Sequence, residues 1–309
     1  MMSISGISGY STVFQVHVYN DVYFNIYEPA LTISIDNYEC RISSRKGKPI
    51  CESCVLNIWL GRFETEEEAN AYCDKTFIPR FGLLLTSNGA SYEVTNKRTD
   101  KASILGMHIS VSSKAHFLMK KLISWDISPV SDLVFDEKAR TALSLVNSAI
   151  KLQKTPGAVL LLISALEALC ETNRRTDAEV SVIDDVKRYV KFDARLTKDQ
   201  RERMENALDA LKNEGSRSAC RRVVKLYGSK SGYSVSVFAK QACDCESQQS
   251  VRTEVVIPAE ELFKTCYELR NDISHGREPR EDFLNYEIPL RRLVVDVLEG
   301  YLKDHKKQE

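Results

Sequence analysis

Thr155-Pro156-Gly157-Ala158-Val159-Leu160-Leu161-Leu162-Ile163-Ser164-Ala165-Leu166-Glu167-Ala168-Leu169 is apolar on almost every side when wound at 3.6 residues per turn. A helix without a polar face has to be covered all round, which puts it at the centre of a helical bundle. Thr155 and Pro156 supply its N-cap and first-turn proline. The stretch through Cys170 is too short for a bilayer and carries Glu167 inside it, so no membrane association is expected. Just upstream, Ala139, Ala142, Leu143, Val146, Ala149 and Ile150 recur at helical spacing and form one apolar stripe. Downstream, helices are expected at 180–191, 198–213 and 216–227. Residues 228–256, with their Gly, Ser and Cys243-Asp244-Cys245, read as an insertion or long loop. Pro258-Ala259-Glu260-Glu261 opens another helix, with its acids where the dipole favours them, and Gly276 ends it. A last helix covers about 283–304.

The pattern before Ser128-Pro129-Val130-Ser131-Asp132 differs. Val13–Tyr19 and Val22–Tyr27 are rich in β-branched and aromatic residues, and Asn20-Asp21 between them suggests a hairpin. Leu31–Ile35, Val55–Leu60, Phe81–Thr86, Ser91–Thr95 and Ile104–Val111 are further strand candidates. Thr65-Glu66-Glu67-Glu68 is a capping box that opens a helix through about Thr76. The expected fold class is therefore α+β: a mixed, β-rich N-terminal domain over 1–128, then an all-α helical domain over 129–309 with an insertion at about 228–256.

Composition narrows the chemistry. The 309 residues are 43% apolar and 28% charged, with 43 basic and 43 acidic side chains, which excludes a disordered or collagenous chain and one held to nucleic acid by bulk charge. The first residues lack a signal peptide's basic and apolar regions, so a cytoplasmic location and nine reduced cysteines are expected. No G-x-x-x-x-G-K-[ST], G-x-G-x-x-G, G-x-S-x-G or H-E-x-x-H occurs, which leaves phosphate-loop, hydrolase-elbow and zincin chemistry unsupported. Cys40, Cys51, Cys54 and Cys73 could offer four thiolates to zinc, but only one C-x-x-C exists among them. Buried or reduced thiols are the favoured reading, and no metal or other cofactor is expected. His108 and His116 read as ordinary strand and surface residues.

Two groups carry positive or titratable chemistry. Arg217, Arg221 and Lys225 share one helix face with Arg222 beside them, while Cys220, Val223, Val224 and Tyr227 form the opposite face. Between Gly215 and Lys240 there are six basic residues and no acidic one, either a solvated face or a track for a phosphate backbone. The second group is Tyr267-Glu268-Leu269-Arg270-Asn271-Asp272-Ile273-Ser274-His275-Gly276. Histidine exchanges a proton near neutrality, and arginine presents a fork matched to phosphate oxygens. Asn271 and His275 are four apart, so the amide can orient the imidazole. Arg270 stands about 140° from His275 around an ideal helix. Convergence therefore needs a distorted helix end or a second copy of the helix.

Arg270-Asn271-x-x-x-His275-Gly276 resembles the R-x(4–6)-H motif of the HEPN superfamily, and Leu160–Leu169 looks like the central helix of Apea-like HEPN domains. The resemblance covers about 130–305. Phe63–Ala69 is only loosely similar to the modules that precede such domains. The resemblance implies a metal-independent endoribonuclease of antiphage defence or a toxin system, dimerising so that two Arg/His pairs line one cleft. His275 would act as base on the RNA 2′-OH, Arg270 would stabilise charge on the phosphate, and Asn271 would position His275. Cleavage would leave a 2′,3′-cyclic phosphate and a 5′-OH. Arg217, Arg221, Arg222 and Lys225 would hold RNA, and Glu167 is either an edge residue of its helix or a contact to Arg270. The expected partners are RNA, a second copy of the chain, and an inhibitory or activating protein. A non-catalytic HEPN module for dimerisation or for nucleotide or RNA binding is the alternative, and a partner-binding protein with a sensing N-terminal domain is a third.

Overall fold

In the computed structural model, which describes residues 9–19, 22–24, 26–44, 47–101, 121–123, 130, 132–240, 250–278 and 282–305, the N-terminal strand β1 (Tyr10–Tyr19) alternates along its length. Phe14, Val16 and Val18 point into a core, while Gln15 on the opposite face exchanges amide hydrogen bonds with Asn57 (2.9 Å) and Asn96 (2.8 Å). That period of two is the signature of a sheet with one dry face. β1 runs antiparallel to both β5 (Val55–Phe63) and β6 (Ser91–Lys101). With β3 (Ala30–Ile35) and β4 (Tyr38–Ser44) they form a five-stranded sheet in the order β3-β4-β5-β1-β6. The fold class is α+β, as expected.

The hairpin expected across Asn20-Asp21 does not pair β1 with the following strand. Both edges of β1 are already filled, and β2 (Val22–Phe24) pairs instead, in parallel, with β7 (Lys121–Ile123). The tight hairpin lies later, at Asp36-Asn37. Ile35 pairs with Tyr38, and both loop residues take positive φ (51° and 70°), the conformation that matches a hairpin's twist and that Asp and Asn tolerate best. Strand β4, the second arm of this hairpin, forms although Tyr38-Glu39-Cys40-Arg41 carries few β-branched residues.

The dry face is covered by one helical run. α1 (Glu66–Tyr72) begins at Thr65, whose Oγ1 accepts from the Glu68 amide at 3.1 Å. The return bond of the expected capping box goes one residue upstream, from the Glu64 amide to Glu68 Oε2 at 2.9 Å. A π-helical turn (Cys73–Phe77) leads into α2 (Ile78–Ser87). Phe81–Thr86 was expected as a strand and is this helix. A short apolar run buried on all sides has no period to separate the two, and Pro79 in the first turn is the one local cue for a helix. Phe77 and Phe81, four residues apart, stack at 5.9 Å. Phe81 also stacks on Phe24 at 5.6 Å, and Phe77 meets Phe14 edge-on at 5.9 Å. Arg80 is buried in the same helix and compensated on both sides: its Nε donates to the Leu133 carbonyl at 3.0 Å and a terminal nitrogen pairs with Asp36. The expected strand Ile104–Val111, with His108 and His116, lies outside the described residues, as does the Cys243-Asp244-Cys245 group.

The chain divides into two compact units, 1–162 with 298–309, and 163–297. The first therefore extends past the linker expected at Ser128–Asp132 and takes in α3 (Glu137–Lys151). The reason is a pair of hydrogen bonds that clamp α3 to the sheet edge: Asn147 accepts from the Tyr92 amide at 2.8 Å and donates to the Tyr92 carbonyl at 2.9 Å. Asp136 caps α3, accepting from the Ala139 amide at 2.8 Å and from the Tyr301 hydroxyl at 2.6 Å. Burial alone would raise this carboxyl's pKa, but those two donors hold it below the ordinary carboxylate value. A lowered folded-state pKa means the cap contributes fully above the ordinary value of about 3.9 and is lost as pH falls through the lower folded value. Asp136→Asn is thus expected to lower the melting temperature at pH 7 and to bring its curve toward that of the parent below about pH 3. Thermal melts across pH read this directly.

Helix α4 (Pro156–Leu169) follows, and the second unit continues with α5 (Asp177–Phe192), α6 (Lys198–Ala210) and α7 (Ser216–Tyr227). α5 and α6 each begin with a complete capping box, Thr176 with Glu179 and Thr197 with Gln200, and are joined by Lys187–Asp209 (2.5 Å) and Lys212–Asp184 (2.8 Å) ion pairs. The segment 228–256 is not a loop throughout: β8 (Tyr233–Lys240) and β9 (Ser250–Ile257) form an antiparallel hairpin, so the C-terminal region is not all-α. Tyr233, Val235 and Val237 alternate with serines, the period of two that a half-buried strand shows. The hairpin is anchored by buried Tyr233, which donates to Asp296 at 2.7 Å and accepts from the Ser229 amide at 2.9 Å. α8 (Ala259–Ser274) and α9 (Glu287–His305) complete the chain. Among the described residues no helix is long and apolar enough to cross a membrane.

Candidate functional site at the C-terminal end of α8

α8 buries Leu262, Phe263, Cys266, Tyr267 and Leu269 on one side, which turns Arg270 toward the boundary with solvent. The helix then stops for a local reason. Gly276 takes φ +63°, its amide donates to the Ile273 carbonyl (3.1 Å), and the Arg277 amide donates to the Asp272 carbonyl (2.8 Å). These are the two bonds of a Schellman cap, closed by the residue that adopts left-handed φ without penalty. A Cβ on Gly276 would meet nothing within 4 Å, so Gly276→Ala isolates the backbone cost. It should destabilise by about 1–2 kcal/mol. A denaturant midpoint shift with unchanged slope would show it; no shift would mean the cap contributes nothing.

Arg270 is held from three directions. Its guanidinium lies 3.6 Å from Glu167 of α4, donates to Asn271 Oδ1 at 3.2 Å, and sits over the Tyr267 ring with its carbon 5.5 Å from the centroid. Tyr267 in turn donates to Glu167 at 3.3 Å, so one carboxylate organises both side chains. Burial pushes the Tyr267 phenol up, with Glu167 adding to the effect and Arg270 opposing it. Side-chain exposures of 31% for Arg270 and 24% for Glu167 leave the guanidinium within reach of a ligand while fixing its direction.

His275 occupies the C-cap, exposed, with non-helical backbone (φ −95°, ψ 8°), so the helix end is not ideal at this residue. The amide oxygen of Asn271 accepts from Arg270, while Asn271 and His275 are joined through the backbone, the His275 amide donating to the Asn271 carbonyl at 3.1 Å. The structure thus brings Arg270, Asn271 and Glu167 together and leaves His275 at the adjoining helix end.

The basic residues of α7 lie where its amphipathic pattern places them. Ala219, Cys220, Val223 and Val224 are buried, while Arg217, Arg221, Arg222 and Lys225 are exposed. Three of the four have carboxylate partners: Arg217 with Glu268 (3.2 Å), Arg221 with Glu260 (2.9 Å) and Arg222 with Glu214 (2.6 Å). Arg217 also covers the Tyr267 ring at 5.4 Å. Exposed pairs of this kind contribute about 0–1 kcal/mol each, little enough for a phosphate to exchange for a carboxylate.

The sequence reading gave no role to Tyr267 or Glu268. Tyr267 stands three residues before Arg270 and so on the same face, a legible signal, whereas the meeting of Arg217 with Glu268 across 51 positions leaves none. Cys40 and Cys73 are buried, Cys51 half-buried and Cys54 exposed, and among the described residues no group of three or more His, Cys, Asp or Glu side chains is arranged to hold a metal. No family model, no curated protein and no solved structure matches this chain.

Proposed function

We propose that the chain is a metal-independent endoribonuclease in which Arg270 and His275 act on one phosphodiester. The observation that carries this reading is Arg270: a partly exposed guanidinium, oriented by Glu167, Asn271 and Tyr267, five residues before an exposed histidine. His275 takes the proton of the RNA 2′-OH as that oxygen attacks the adjacent phosphorus. Arg270 stabilises the negative charge that builds on the phosphoryl oxygens, and the departing 5′-oxygen takes a proton from water. The products are a 2′,3′-cyclic phosphate and a 5′-OH, and DNA has no 2′-OH with which to react. Because Asn271 engages Arg270, its part is to position the guanidinium. The exchangeable pairs on Arg217, Arg221 and Arg222, with exposed Lys225, provide the track along which the RNA backbone lies.

The same ion pairs also favour a second reading, a non-catalytic module that binds RNA or another copy of itself. On α5, Val182, Val186, Tyr189 and Phe192 expose a ribbon of apolar surface suited to a second copy, with Tyr189 82% and Phe192 79% exposed. Incubation of the purified protein with total RNA in excess EDTA, followed by analysis of the cut ends, separates the two. Cleavage leaving cyclic phosphates supports the nuclease. RNA binding without any product, from protein that is also harmless when overexpressed, supports the module.

A further inference from the structure

Cys170, just past the end of α4, and Cys220, in the buried face of α7, are fifty residues apart in sequence, yet their sulfurs lie 3.4 Å apart and share a hydrogen bond as free thiols. Cys170 is half-buried and reachable, whereas Cys220 is enclosed. We propose that Cys170 and Cys220 are a redox-modification site, a dithiol that peroxide converts to an intramolecular disulfide linking the end of α4 to α7. This goes beyond ribonuclease activity and does not depend on it.

The two thiols have unequal roles. The hydrogen bond between the two sulfurs holds the Cys170 thiol below its ordinary pKa despite the opposing effect of burial, and nearby Arg222 acts in the same direction. The same bond and burial push Cys220 up. Because Cys170 is half-buried and Cys220 enclosed, peroxide reaches Cys170, which is the nucleophile, and Cys220 is the resolving thiol. Three buried cysteines differ in kind: burial raises Cys40, Cys266 and Cys73, the last to about 12. The Cys170 thiolate attacks one oxygen of hydrogen peroxide, breaking the O–O bond to give a sulfenic acid and, with one proton, water. The Cys220 sulfur then displaces the sulfenic hydroxyl, forming the S–S bond and a second water. Two thiols lose two electrons and two protons, and the peroxide takes them up. A sulfur separation of 3.4 Å lets this closure proceed by small side-chain movements.

The location gives the modification a consequence. Cys170 lies three residues past Glu167, the carboxylate that orients Arg270 and Tyr267, and Cys220 lies on the helix that carries Arg217 and Arg222. Linking them ties the residue that directs Arg270 to the helix of the basic track.

The test uses the reduced full-length protein, treated with hydrogen peroxide, alkylated and digested by trypsin without reductant. Mass spectrometry should find peptide 155–174 joined to 218–221, released by dithiothreitol and absent from Cys170→Ser and Cys220→Ser. In Cys220→Ser the sulfenic acid on Cys170 has no resolving thiol and should be trapped by dimedone. Circular dichroism melts confirm that the variants fold, with Cys220→Ala in place of the serine should it not. A parent protein whose Cys170 stays reduced, is overoxidised without the cross-link, or pairs indiscriminately with other cysteines overturns the proposal.

Discussion

With Arg270 replaced by alanine, RNA cleavage in EDTA is expected to fall by about 10²–10³, the usual loss when a charge-stabilising donor is removed from a reacting centre. His275→Ala is expected to cost about 10²–10⁴, the range of a general base. The double variant should be no slower than the worse single variant by more than a small factor, because the two residues serve one transition state and their effects are not additive. Both residues lie at the surface end of α8. Arg270 is 31% exposed and its pair with Glu167 is long at 3.6 Å, so neither substitution should unfold the protein. A melting temperature within a few degrees of the parent would separate lost chemistry from lost structure. Asn271→Asp offers a finer check. Its oxygen already accepts from Arg270, and an added charge there should tie the guanidinium down and slow cleavage while leaving stability intact. Cleavage by His275→Ala at the parental rate would remove histidine from the mechanism.

The largest stability effect is expected at Phe81. Its ring is 2% exposed and stacks on Phe24 and Phe77, so truncation to alanine leaves a cavity between α2 and the sheet. Phenylalanine-to-alanine changes in such sites cost about 3–5 kcal/mol. For a unit of this size that is a fall in melting temperature on the order of 10 °C. Tyr189→Ala on α5, where the ring is 82% exposed, should move the melt little and serves as the control. A small effect of Phe81→Ala would mean that α2 does not close this core.

How much was legible in the chain depends on how local each cause is. α3 was readable because its apolar stripe recurs within a few residues, and α7 and α8 because their faces and the Gly276 stop are equally local. The pairing of β1 was not. Asn20-Asp21 looks like a turn, but which strand fills each edge is settled by competition, and β5 and β6 won both. Helix α2 was misread for a related cause, since a fully buried segment shows no periodicity by which a helix differs from a strand. At the candidate site, Arg270, Asn271 and His275 were visible as a motif, but the partner of Asn271 was not. Arg270 serves Asn271 and Glu167 from different nitrogens, and that arrangement depends on where Glu167 and Tyr267 stand.

By itself the sequence determined the α+β class, the helical character of the C-terminal region and the residue types at the end of α8, because these follow from periodicity, capping and turn chemistry within a few residues. Only the tertiary structure decided that Glu167 reaches Arg270, that three α7 arginines are already ion-paired, and that Cys170 faces Cys220. Apart from Arg222–Glu214, those contacts join positions 39 to 103 residues apart. They arise where packed elements place side chains once the apolar surfaces have been buried, and no local pattern encodes that placement.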